Sequence, residues 1–178
     1  ILMKQHTPTD ALRFWIGPEG KKQDISLNTI AVEVKTSMSG DPHTIRISSL
    51  EQLERISESL YLLHIIANPT TSELGFSLEN LYDECMRYLS QDSSAETMFL
   101  HKVSKVYGKA NKSQLKDKFS IVSVSLFDVR DDFPLISKND VSNGIATAQY
   151  EIFTHYIKKF EVTEDIERII KNGWVNWI

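Results

Sequence analysis

Asp24, Glu33 and Lys35 are the residues of this chain whose types and spacing best suit chemistry. Glu33 and Lys35 sit in Ile30-Ala31-Val32-Glu33-Val34-Lys35-Thr36, which alternates like a half-buried strand. Ile30, Val32 and Val34 fall on one face; Ala31, Glu33 and Lys35 fall on the other. Asp24 opens a second β-like run, Asp24-Ile25-Ser26-Leu27, and Asn28-Thr29 between the runs has turn chemistry. A hairpin folded there brings the Asp24 and Glu33 carboxylates together, with the Lys35 ammonium one pleat along. Two carboxylates and an ammonium around one point could hold a hard divalent cation against a phosphodiester and cut it with water.

Mg²⁺ takes oxygen ligands and commonly uses one or two protein carboxylates, completing its sphere with water and phosphate. Two ionised carboxylates about 4 Å apart repel by roughly 4 kcal/mol at an effective dielectric near 20, so a cation or a proton must offset them. A metal does so while polarising a phosphoryl oxygen and acidifying a bound water. A neighbouring lysine can orient that water or stabilise developing charge. Spacing alone does not select the site, because Asp10, Glu19 and Lys21 repeat it. That second set ends in Gly17-Pro18-Glu19-Gly20, a turn that cannot keep two side chains on one pleat. Only the set at 24, 33 and 35 lies in an alternating apolar frame.

The elements that must position this set follow from pattern and punctuation. Thr9–Trp15 reads as a helical turn closed by Gly17-Pro18, and His43–Ser48 as a third short strand. Ser48 and Ser49 offer N-caps for a long helix to about Ala67, with Leu50, Leu53, Ile56, Leu60 and Leu63 on its core face and Asn68-Pro69 ending it. Ser49 and Gln52 have the spacing of a capping box. Further helices are expected at Ser77–Ser90, Ala95–Tyr107 and Glu164–Lys171, and strands at Phe119–Val129 and Gly144–Tyr156. The order, a mixed sheet flanked by helices with extra helices before the last strands, is α/β.

With 178 residues, one domain is expected, residues 1–178, with 68–118 as a helical insertion. The single cysteine, Cys85, excludes an internal disulfide and has no zinc-ligand companions, so a reducing cytoplasm is the natural compartment. The apolar run Leu60–Ala67 is too short to span a bilayer, and no membrane association is expected. The net charge is −4, yet residues 101–118 carry six lysines, Lys102, Lys105, Lys109, Lys112, Lys116 and Lys118, against Asp117 alone. Such a strip could contact a phosphate backbone or simply be a solvated helix end. Lys22 and Arg46 flank the acidic set and are further candidates for phosphate contact. Trp174 and Trp177 could stack bases or pack the C-terminus.

The run Trp15-Ile16-Gly17-Pro18-Glu19-Gly20, then Asp24, then Val32-Glu33-Val34-Lys35-Thr36, then Ser48-Ser49-Leu50-Glu51-Gln52-Leu53, resembles the PD-(D/E)XK nuclease superfamily. More narrowly it is similar to bacterial PD-(D/E)XK-motif proteins encoded beside restriction–modification genes, as are Tyr107-Gly108, Phe133-Pro134 and Gly144 through Tyr150. The resemblance implies a restriction-endonuclease-like core and metal-dependent cleavage of DNA. It implies that Asp24 and Glu33 bind Mg²⁺, with Mn²⁺ as a substitute, that Lys35 positions the water, and that Gln52 stands beside the active site. Ile25 occupies a position that is usually aromatic in the family. The family pattern also has an upstream helix with a Gly-Glu-Leu element, which would precede Ile1. DNA is the implied partner, in a restriction or phage-defence setting with its associated proteins. A homodimer is expected because cutting both strands usually takes two sites. The rival expectation is a catalytically silent nucleic-acid- or protein-binding module of such a system, since a fold does not guarantee chemistry.

Overall fold

The N-terminal segment builds the support for the hairpin. A computed structural model describes residues 1–40, 43–108 and 113–173, with the backbone only at 172. Helix α1 (Leu2–Gln5) leads to α2 (Pro8–Phe14), which starts where the Thr7 hydroxyl accepts a hydrogen bond from the Asp10 N–H and Pro8 fixes the first turn. A 3₁₀ turn at Gly17–Glu19 then delivers the chain to strand β1 (Ile25–Ser26). Leu27 N–H bonds to Ile30 C=O across the Asn28-Thr29 turn, and β2 (Ile30–Ser37) returns antiparallel to β1.

Strand β3 (Thr44–Ile47) leaves this sheet, a short 3₁₀ turn follows at Leu50–Leu53, and β4 (Ser59–Pro69) runs parallel to β2. The long helix expected from Ser48 to Ala67 therefore does not form. Its apolar residues recur at helical spacing, but a strand buried on both faces is also a near-continuous apolar run, and periodicity cannot separate the two. Ile56, expected on the core face of that helix, is more than half exposed. Leu60, Leu62 and Leu63 are buried on opposite faces of a central strand.

Helices α3 (Leu78–Leu89) and α4 (Ser93–Tyr107) lie between β4 and β5 (Phe119–Asp128). Ser77 and Asn80 form a reciprocal capping box on α3, and Asp92 caps α4 through the Ala95 N–H. These helices pack on α2 through Leu12, Leu89, Ala95 and Phe99. β5 pairs antiparallel with β4, with a register shift between Ile66 and Ala67, giving the order β1-β2-β4-β5. The strand expected over Gly144–Tyr156 shrinks to β6 (Tyr150–Phe153), which pairs antiparallel with β3 as a separate two-stranded sheet. It is followed by α5 (Thr154–Ile157) and, after a 3₁₀ turn, α6 (Ile166–Asn172).

The small sheet covers the face of the large one that carries Ala31 and Glu33. Ile45, Ile47 and Ile152 from the small sheet meet Ala31, Leu60, Leu62 and Phe127, closed by Leu53, Phe133, Ile157 and Phe160. The opposite face packs Ile30, Val32, Leu63 and Leu126 on Ile169 of α6. Both faces of β2 and β4 are thus covered, and Glu33 is buried on the face turned to the small sheet. Among the described residues no helix is long and apolar enough to cross a membrane.

Candidate active site

Asp24 is placed by backbone hydrogen bonds at the point where β1 gives out. Its carbonyl accepts from the N–H groups of Ile16 and Gly17 at 2.9 and 3.0 Å, and its own N–H bonds to Val32 C=O. Beyond β1 the edge of β2 would expose the Val34 N–H; the Asp24 carboxylate takes it, with Oδ2 at 2.8 Å. Gly17 lies directly over that carboxylate. A Cβ at residue 17 would stand 2.6 Å from Asp24 Oδ1, so the close approach requires glycine.

Glu33 and Lys35 share one face of β2, as alternation dictates. Glu33 is 2% exposed and its Oε1 lies 2.8 Å from Lys35 Nζ. Lys35 also donates to Gln52 Oε1 at 2.9 Å, and the same oxygen accepts from the Ser48 N–H at 2.8 Å. Gln52 thus does not close a capping box with Ser49, whose side chain caps nothing at this turn. It belongs to a 3₁₀ turn, not to a long helix, and its amide oxygen anchors the lysine. Gln23, one residue before Asp24, fixes that turn. It is 1% exposed, and its Nε2 donates to the carbonyls of Glu51, Gln52 and Glu54.

Burial pushes the Glu33 carboxyl up to about 7; the hydrogen bond from Lys35 opposes this, and the nearby Asp24 charge adds to it. Near neutral pH the group is poised between its two forms, and a divalent cation would favour the ionised one. The donor set fits a hard cation: two carboxylates that feel each other, with only oxygen to offer. Among the described residues no cluster of three or more His, Cys, Asp or Glu is arranged around a metal position. Two protein ligands, with water and phosphate completing the sphere, match the preference of Mg²⁺.

The proposed phosphate contacts divide. Arg46 is exposed, bonds to Gln149 Oε1 and lines a pocket of about 260 Å³ together with Lys35. Lys22 is paired with Glu54 at 2.8 Å. Lys102 is a correction: it is 3% exposed, donates to the Trp15 carbonyl and pairs with Glu19 at 2.7 Å, so it ties α4 to the 3₁₀ turn at Gly17–Glu19. This also accounts for Glu19 of the decoy set, whose carboxyl Lys102 holds below the usual range. Lys105 is exposed on α4. Lys109, Lys112, Trp174 and Trp177 lie outside the described residues.

Spacing gave no signal for Gln23, nor for His64, which stands beside Lys35 in the β2–β4 register and is hydrogen-bonded to Ser37 at 2.8 Å. Burial lowers the His64 pKa, keeping the ring neutral at physiological pH. The place of His64 follows only from the register of β4, a strand that resembles a helix in sequence, and that of Gln23 only from the 3₁₀ turn whose carbonyls it meets.

A mixed four-stranded sheet flanked by helices, with a carboxylate entering beside a Glu-x-Lys strand, defines a restriction-endonuclease-like core of the PD-(D/E)XK type. Residues 1–154 match the family model described as "Putative PD-(D/E)XK family member, (DUF4420)". The chain belongs to the DUF4420 family. No curated protein and no solved structure matches it.

Proposed function

We propose that the protein is a metal-dependent DNA endonuclease, formed by residues 1–178 as one nuclease-like domain with 68–118 inserted in it. The observation that carries this is the anchoring of Asp24 on the backbone between Glu33 and Lys35, with Lys35 held between Glu33 and Gln52. Asp24 and Glu33 would hold Mg²⁺, or Mn²⁺ in its place. When bound, the ion supplies Lewis acidity to a phosphoryl oxygen and to a water. Lys35 would donate a hydrogen bond to the attacking water or to a phosphoryl oxygen, stabilising the charge that grows during in-line displacement. Gln52 keeps the lysine aimed, and Arg46, on the same pocket, would hold a flanking phosphate. A restriction or phage-defence setting and a homodimer with two cutting sites accord with this chemistry.

Supercoiled plasmid incubated with Mg²⁺ or Mn²⁺ tests the proposal. Nicking should occur with the unaltered chain and vanish in Asp24→Ala and in Lys35→Ala; metal-independent nicking, or nicking that survives both substitutions, rejects it. The second reading, a silent binding module, is favoured by the burial of Glu33 and by the lysine closing over it. DNA binding without any metal-dependent cleavage would select that reading.

A further inference from the structure

The pocket at Lys35 and Arg46 continues into a larger cavity of about 640 Å³ through three shared residues, Ser37, Thr44 and His64. The larger cavity is lined by hydroxyls of Ser123, Ser125 and Thr154, by His43 and His155, and by Lys158. None of the described residues lining it is acidic, although the chain carries 24 Asp and Glu residues. Glu151 is the one acid on the smaller pocket; its carboxylate accepts from the Thr44 hydroxyl at 2.9 Å and lies opposite Arg46 in the β3–β6 register. Behind the lining, half-buried Glu161 pairs with Lys158 and is hydrogen-bonded to Ser125. Lys158 itself is 70% exposed, so the pair contributes about 0–1 kcal/mol and the ammonium can turn to a phosphate.

His155 joins this cavity to an exposed aromatic cluster, whose Phe153 and Tyr156 line a neighbouring open hollow of about 300 Å³ with Pro134, Leu135 and Glu151. Phe153 is 54% and Tyr156 65% exposed, and His155 lies between them with ring centroids 5.4 and 4.4 Å away. Large aromatic side chains usually go to the core, so an exposed cluster joined through His155 to a cavity with no acid in its lining suits a ligand with flat rings and negative charge. A nucleic-acid strand has both, but its base faces are available only where the strand is unpaired.

We propose that this groove binds an unpaired DNA strand, with bases stacked on Phe153, His155 and Tyr156 and the backbone running past Lys158, His155 and Ser37 toward Lys35. The inference rests on the nuclease reading for the identity of the ligand and extends it to the form of DNA taken: a single strand or the overhang of a duplex. Duplex DNA enters the site only where it is frayed or gapped.

Anisotropy titrations with a labelled single strand, the same sequence as a blunt duplex, and a duplex with a single-stranded overhang, all in EDTA at low salt, test this. The single strand and the overhang should bind about tenfold or more tighter than the blunt duplex. Phe153→Ala with Tyr156→Ala should weaken strand binding by about tenfold or more, without a change in thermal stability, since both side chains are exposed. Lys158→Ala should flatten the salt dependence by about 0.7 in slope. Equal or tighter binding of the blunt duplex, unchanged affinity in the double variant, or no binding of any strand overturns the proposal. Strand binding that persists while neither the labelled single strand nor the supercoiled plasmid is cut in Mn²⁺ rejects the nuclease and keeps the groove. Nicking lost in Asp24→Ala, with strand affinity indifferent to the aromatic residues, does the reverse.

Discussion

The Asp24 carboxylate accepts a hydrogen bond from the backbone N–H of Val34, the residue between Glu33 and Lys35. One strand thereby supplies an acid and a lysine from its side chains and a fixing point for the second acid from its main chain. The second acid needs no strand of its own at that position. It needs only the 3₁₀ turn that brings Ile16 and Gly17 onto its carbonyl.

Gly17→Ala should therefore damage the site without touching a charged group. The added methyl meets Asp24 Oδ1 at 2.6 Å and the Asp24 Cα at 3.3 Å, so either the carboxylate leaves Val34 or the turn shifts. A stability loss of about 1–3 kcal/mol is expected from overpacking. Mn²⁺ affinity, followed by calorimetry, should fall by more than it does in Gly144→Ala, where nothing lies within reach of an added Cβ and the backbone needs no glycine. Equal affinities in the two variants would show that Gly17 does not shape the site.

Glu33→Gln should stabilise the protein at alkaline pH. The folded carboxyl is raised above its ordinary value of 4.5 to about 7, so the unfolded chain ionises first. The native state loses stability as pH rises from about 4.5 through 7, by up to about 3 kcal/mol once ionisation is complete. Below pH 4 the acid is neutral in both states and the variant should match the unaltered chain. Denaturant melts at pH 4 and pH 8 check this. A variant less stable at pH 8 would mean that the Lys35 pair outweighs the burial of Glu33.

How much of this was legible in the sequence depends on what each element buries. The β1–β2 hairpin announced itself because one face of it is polar and its turn is Asn28-Thr29. Helices α3 and α4 did so through apolar residues at helical spacing. β4 was illegible because Leu60 through Ala67 is buried from both sides, which erases the alternation that marks a strand. Losing β4 also hid the adjacency of Lys35 and His64, which only a parallel register creates. Gln52 could be found only by resemblance, since its sequence spacing points to a cap that the Ser49 side chain does not make. Lys102 looked like part of a basic strip, and no local pattern tells a buried lysine from an exposed one.

Cation binding should release a proton near neutrality. A divalent ion bound by Asp24 and Glu33 requires Glu33 ionised, whereas burial holds part of the population protonated around pH 7. Apparent Mn²⁺ affinity should rise between pH 6 and pH 8 and level off above. Calorimetric heats at pH 6.5 should differ between buffers of different ionisation enthalpy, and agree at pH 8.5. Heats that ignore the buffer at pH 6.5 would remove Glu33 from the cation's ligands.

Gln52→Met should separate positioning from binding. The substitution keeps the side-chain length and removes the oxygen that receives both Lys35 and the Ser48 N–H. Lys35 then keeps only Glu33 among its present partners, and a small displacement of its ammonium is expected to cost about 100-fold in turnover. Mn²⁺ affinity should stay the same, because Gln52 contributes nothing to the two carboxylates. Lost metal affinity with normal turnover would reverse the assigned roles.

Lys102→Met tests whether α4 meets DNA through this residue. Its ammonium is buried between the Trp15 carbonyl and Glu19, so a substitution that keeps the apolar stem but loses the charge breaks that tie. A cost of about 1–3 kcal/mol is expected, chiefly for leaving the Trp15 carbonyl without its charged donor, because Glu19 is open enough to recover water. The salt dependence of DNA binding should be unchanged, since a buried lysine releases no counterion when a strand arrives. Lys105→Met is the complementary case: its side chain is exposed on the same helix, and any contribution of α4 to the strand would show there as a shallower slope with unaltered stability. A shallower slope in Lys102→Met instead would mean that the helix opens away from the turn at Gly17–Glu19 when DNA binds.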